Sequence, residues 1–84
     1  MGFTLKLKPK AEKRIDALNA MDYARVMQIL FAIKSDPFSG KKLHGKHEAE
    51  YSVRLWPFRI LYKIYKNELL ISVVKFEHRK DAYK

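Results

Sequence analysis

The sequence predicts an α+β fold of order β-α-α-β-β-β, with two N-terminal helices packed on one face of a small, mostly antiparallel sheet. Three observations carry this. The first forty residues hold one alternating apolar segment and then two stretches of helical periodicity. From Tyr51 onward come three strand-like runs, YSVRLW, FRILYKIY and LLISVVKF, rich in β-branched and aromatic residues. Helices grouped before strands give segregated layers rather than an alternating parallel sheet.

The elements follow in order. Phe3, Leu5 and Leu7 alternate with Thr4, Lys6 and Lys8, a half-buried strand. Pro9 ends it and suits the first turn of a helix. Ala11, Ile15 and Leu18 then form one apolar stripe. Asn19 to Met21 interrupt the pattern, and Asp22 is the expected N-cap of a second helix. That helix carries Tyr23, Val26, Met27, Leu30, Phe31 and Ile33, and Ser35-Asp36-Pro37 stops it. Residues 38–50, FSGKKLHGKHEAE, read as a polar loop pinned by Leu43. Strands are expected at Tyr51–Trp56, Phe58–Tyr65 and Leu69–Phe76, the last two joined as a hairpin near Lys66-Asn67-Glu68.

With 84 residues the chain reads as a single domain, 1–84, with a thin core. It has no cysteine, which removes disulfides and thiolate metal sites and fits a reducing, cytoplasmic setting. No apolar run approaches the roughly 20 residues needed to span a bilayer, and MGFTLKLKPK lacks a signal-peptide h-region, so no membrane partner is expected. The formal charge is +9. Residues 1–40 hold seven Lys/Arg against four Asp/Glu, and residues 41–84 hold eleven against five. This imbalance points to nucleic acid, or to an acidic protein that masks the same surface.

Side-chain parity places the charge. Tyr51, Val53 and Leu55 share one face of their strand, and Phe58, Ile60, Tyr62 and Ile64 share one face of the next. Core packing claims those faces, so Arg54 and Arg59 fall on the face away from the helices. If the strands are neighbours, the two guanidiniums converge.

With these motifs in view, the chain resembles the RelE/ParE toxin superfamily, and its RelE branch in particular. The carriers are the β-α-α-β-β-β order, the KKLHG segment, the YSVRL…FRILYKI strand pair and the ending HRKDAY. The resemblance implies the toxin of a type II toxin–antitoxin pair. In the RelE branch the activity is metal-independent, ribosome-dependent cleavage of mRNA in the ribosomal A site, without a cofactor. The implied partners are the ribosome, mRNA and a RelB-like antitoxin, acidic or amphipathic. Carried over by residue, Arg54, Arg59, Arg79 and Tyr83 are the expected catalytic positions. Lys41, Lys42, Lys46, Lys63 and Lys80 are the expected RNA or ribosome contacts. Some relatives carry a lysine where this chain has Ser52. The alternatives are a ParE-like inhibitor of DNA gyrase without nuclease activity, and a plain basic RNA-binding module.

The chemistry fits these residue types. Attack of a 2′-hydroxyl on the adjacent phosphate builds up charge on the phosphorane oxygens. Arginine is always cationic and meets those oxygens with a planar fork. Tyr83 can stack on a base or move a proton. Each also has a plainer structural reading. Arg54 and Arg59 can be solvated cations, Arg79 can pair with Glu77 or Asp81, and Tyr83 can anchor the C-terminal segment. His78 is the better base by type, but in an extended segment it points opposite to Arg79. His44 and His47 lack the further ligands a metal needs. Trp56 before Pro57 reads as turn packing.

Overall fold

The computed structural model describes residues 2–43 and 50–79. Strand β1 (Thr4–Leu7) leads into helix α1 (Pro9–Asp16) and helix α2 (Ala20–Ser35). A short strand β2 (Lys41–Lys42) follows, then β3 (Glu50–Leu55), β4 (Phe58–Tyr65) and β5 (Leu70–His78). The order in the sheet is β1-β5-β4-β3-β2. All neighbours are antiparallel except β1, which runs parallel to β5. The parallel pair is possible because the chain between β1 and β5 runs through both helices and strands β2 to β4, a connection long enough for parallel strands.

Local chemistry sets the helix ends. Pro9 opens α1, where its missing N–H is not needed. The cap of α2 is Asn19 rather than Asp22: the Asn19 side-chain oxygen accepts from the Asp22 N–H at 2.8 Å. Asp22 instead sits in the first turn, where a carboxylate suits the helix dipole. The segment read as a polar loop contains β2. Lys41 pairs with Ser52 and Lys42 with Tyr51, and the Leu43 N–H donates to the Glu50 carbonyl. Two lysines carry no apolar alternation, so this edge strand has no signal in the sequence.

The core lies on one face of the sheet. Ala11 and Ile15 of α1 and Val26, Leu30 and Ile33 of α2 pack against Tyr51, Phe58, Ile60, Tyr62, Ile64, Ile71, Val73 and Phe76. Burying an aliphatic or aromatic side chain contributes about 1.5–3 kcal/mol. Tyr51 and Tyr62 stack at 5.7 Å, and Phe58 and Phe76 at 5.0 Å. The Tyr62 hydroxyl donates to the Pro37 carbonyl at 2.7 Å. Burial pushes that phenol up to about 12. Gly40 passes so close to the Tyr62 hydroxyl that a Cβ there would collide with it.

One irregularity matters for function. Leu61 pairs with Lys75 but Tyr62 pairs with Val73, so Val74 is an extra residue in β5. This bulge resets the alternation. Ile71 and Val73 face the helices before it, and Phe76 and His78 face them after it. Lys75 and Glu77 are thereby turned onto the open face.

Candidate nucleic-acid interface

The open face of the sheet is what the core leaves unused. Register assigns it Lys6, Lys41, Arg54, Arg59, Lys63 and Lys75 against Glu50 and Glu77. Cations therefore outnumber acids on this face, where they alternate with Ser52, Leu61 and Tyr65, as suits a polyanion.

Arg54 and Arg59 are direct partners across β3 and β4, two residues either side of the Trp56-Pro57 turn. The short turn fixes this pairing. They line a cavity of about 420 Å³ with Lys41, Leu43 and Ser52. Like charges directly opposite in a sheet repel. Among the described residues no ion pair or hydrogen bond occupies either guanidinium. The pair is thus an open fork for an anion, with Lys41 beside it on the edge strand. A phosphodiester has the matching shape and charge.

Arg79 lies at the same end of the sheet. Its N–H donates to the Pro57 carbonyl at 2.6 Å, and its guanidinium sits 4.4 Å from the centre of the Trp56 ring. Trp56 is 61% exposed, so this ring is a surface platform rather than turn packing. The turn is also held from the helices: Arg25 donates to the Trp56 carbonyl at 2.9 Å and pairs with Asp22 at 3.3 Å. A stack this exposed contributes about 0.5–1 kcal/mol.

The remaining expected residues divide. Lys41 is brought to the cavity. Lys42 is not, because strand alternation turns it to the Tyr51 side of the sheet. Lys63 is on the open face opposite Glu50, outside the cavity lining. Lys46, Lys80 and Tyr83 lie outside the described residues, as do His44 and His47. His78 is on the helix side, edge-on to the Phe58 ring at 5.5 Å. Among the described residues no group of three or more His, Cys, Asp or Glu is placed to hold a metal ion. None of the described helices is long and apolar enough to cross a membrane.

Sequence reasoning missed two members of this surface. A large ring beside a turn proline reads as packing from residue type alone, yet on a basic face Trp56 also fits a stacking platform. Glu77 reads in the sequence only as a partner for Arg79. The break in alternation at Val73-Val74 was the signal that Glu77 shares a face with Arg59.

Comparison with known proteins gives a consistent picture. The family described as the ParE toxin of type II toxin–antitoxin system, parDE, matches residues 5–83. Comparison with curated protein sequences yields no match. Among solved structures, the isolated RelE toxin of E. coli superposes with a TM-score of 0.81 at 17% identity, covering 96% of this chain and 95% of that chain. The RelBE2 toxin–antitoxin complex of Mycobacterium tuberculosis gives 0.80 at 22% identity, covering 94% and 100%. The archaeal RelE–RelB complex of Pyrococcus horikoshii gives 0.80 at 21% identity, covering 94% and 97%. At these identities the likeness is one of fold.

Proposed function

We propose that this chain, which belongs to the ParE toxin family of type II toxin–antitoxin systems within the RelE/ParE superfamily, acts as a ribosome-dependent mRNA endoribonuclease. The observation that carries the reading is the Arg54–Arg59 pair, directly opposed on the open face and engaged by no other described group. The two forks bind the scissile phosphate and stabilise charge that grows as the neighbouring 2′-oxygen attacks. Arg79 reaches the same end of the sheet from its stack on Trp56. Tyr83, four residues on, supplies a second aromatic group. Products are a 2′,3′-cyclic phosphate and a 5′-hydroxyl.

Such a site is a weak nuclease alone, because an open sheet face does not fix the RNA. The ribosome supplies alignment, which in well-oriented reactions contributes about 7–11 kcal/mol. An acidic or amphipathic antitoxin of the RelB kind neutralises the toxin by covering the cationic face, as the charge balance requires.

A second reading is inhibition of DNA gyrase. The family description names ParE, and Ser52 stands where some nuclease relatives carry a lysine. One experiment separates the two: induce the protein, map mRNA 5′ ends and measure DNA supercoiling in parallel. Cuts inside translated codons are expected. Gyrase-dependent DNA breaks with intact mRNA overturn the nuclease reading in favour of the second.

A further inference from the structure

We propose that Glu77 is the base that takes the proton from the attacking 2′-hydroxyl, a catalytic residue of the nuclease on whose reading this inference rests. The reaction needs a proton acceptor, and among the described residues the cavity lining holds none. Its lining is Lys41, Leu43, Ser52, Arg54 and Arg59. Arginine stays protonated and cannot accept. His78 has the right chemistry but is turned to the helix side against Phe58.

Glu77 is on the right face because of the Val74 bulge. It is the direct partner of Arg59, as Arg54 is on the other side. Arg54, Arg59 and Glu77 thus form one row across three adjacent strands, each step about 4.8 Å. A phosphate seated between the two guanidiniums leaves its attached ribose hydroxyl about one strand over, at the carboxylate.

The carboxylate is available. Opposite charges directly across a sheet ordinarily pair. Among the described residues Glu77 makes no ion pair or hydrogen bond, even with Arg59. Strand β1 covers β5 only at Leu70–Val73, so this end of β5 has no described strand on its other side. The charged groups around Glu77 are Arg59 and, beyond it, Arg54 on β3, Lys75 on its own strand, Arg79 just past it, and Arg14 of α1, which donates to the neighbouring Phe76 carbonyl at 3.1 Å. No second acid competes for the proton there among the described residues.

The step balances without an oxidant or reductant. The 2′-O–H bond breaks and its proton goes to Glu77 as the O2′–P bond forms. The P–O5′ bond breaks, and the 5′-oxygen takes a proton from water. The hydroxide left behind removes the proton from Glu77 and restores the site.

The test is single-turnover cleavage of mRNA on programmed ribosomes by wild type, Glu77→Gln and Glu77→Asp across pH, with ribosome affinity and thermal unfolding measured for each. Glu77→Gln keeps the shape and removes the base. Its rate is expected to fall by about 10²–10³, within the range for one general base. The acid limb of its rate–pH profile should disappear, with affinity and melting close to wild type. Glu77→Asp should keep the limb at a reduced rate. A Glu77→Gln protein that cuts within about twofold of wild type, keeps the acid limb, or loses rate only in proportion to binding overturns the assignment. Wild type that binds ribosomes and never cuts overturns the nuclease reading, and this inference with it.

Discussion

Replacing Arg54 with glutamine should move stability and activity in opposite directions. Arg54 faces Arg59 directly, and Lys41 lies one strand away. Unlike Arg59, it has no acid in register with it. Directly opposed side chains have Cβ atoms about 4.5–5.5 Å apart, where a pair interaction is worth roughly 0.2–1 kcal/mol and is unfavourable for like charges. Arg54→Gln keeps most of the aliphatic stem and removes that repulsion. Urea unfolding at low salt should therefore show a gain of roughly 0.2–1 kcal/mol, shrinking as salt screens the pair. The same substitution at Arg59 removes the repulsion but also the attraction to Glu77, so its gain should be smaller. In the double variant the relief counts once, giving a coupling energy as large as the repulsion. Cleavage on programmed ribosomes should fall in each single variant by about 10²–10³, the size found for loss of one oxyanion donor. Destabilisation by more than about 1 kcal/mol, or additive effects with no salt dependence, would refute the idea that this pair is held apart from other partners for a ligand.

Three further outcomes follow from the same geometry. Ribosome or RNA affinity should fall steeply with salt, and each open-face cation removed should reduce the log–log slope by about one unit, measured by filter binding. Gly40→Ala should cost about 1–3 kcal/mol in chemical unfolding, because the added methyl meets the Tyr62 hydroxyl and the strand edge carrying Lys41 must shift. The folded chain holds the Tyr62 proton more tightly than the unfolded one, with the phenol raised from 10.0 to about 12. Its contribution is intact below pH 10 and is lost by roughly 3 kcal/mol as pH rises through 12. Tyr62→Phe should flatten that decline relative to wild type.

How much of this was legible in the sequence depends on which force wrote each feature. Alternation of Tyr51 with Val53, and of Phe58 with Ile60, Tyr62 and Ile64, is written by core burial, so strand faces and the convergence of Arg54 with Arg59 could be read directly. The helix boundary was less clear, because Asn19 and Asp22 are both good caps and only backbone geometry chooses between them. Strand β2 left no pattern, since an exposed edge of two lysines buries nothing. The Val74 bulge is visible as a break in period, yet its consequence depends on pairing with β4, a non-local fact. Arg79 on Trp56 is likewise a contact between distant residues that neither residue type demands.

The division of labour in this fold explains why its likeness to RelE at 17–22% identity does not by itself fix a target. Every buried hydrophobic residue in the described core serves the contact between helices and one sheet face. The opposite face contributes little to that packing, so its side chains can change with almost no cost in stability. A scaffold of this kind can present a cutting surface in one protein and a blocking surface in another. The deciding information then lies in a few open-face positions and the turns that aim them. In this chain those positions hold Arg54, Arg59 and Glu77 in one row, and Trp56 with Arg79 at its end. A carboxylate in register beside two guanidiniums fits the nuclease proposed above, where a base and a phosphate clamp work side by side. On that proposal the clamp takes the phosphodiester and the carboxylate takes the proton of the neighbouring hydroxyl.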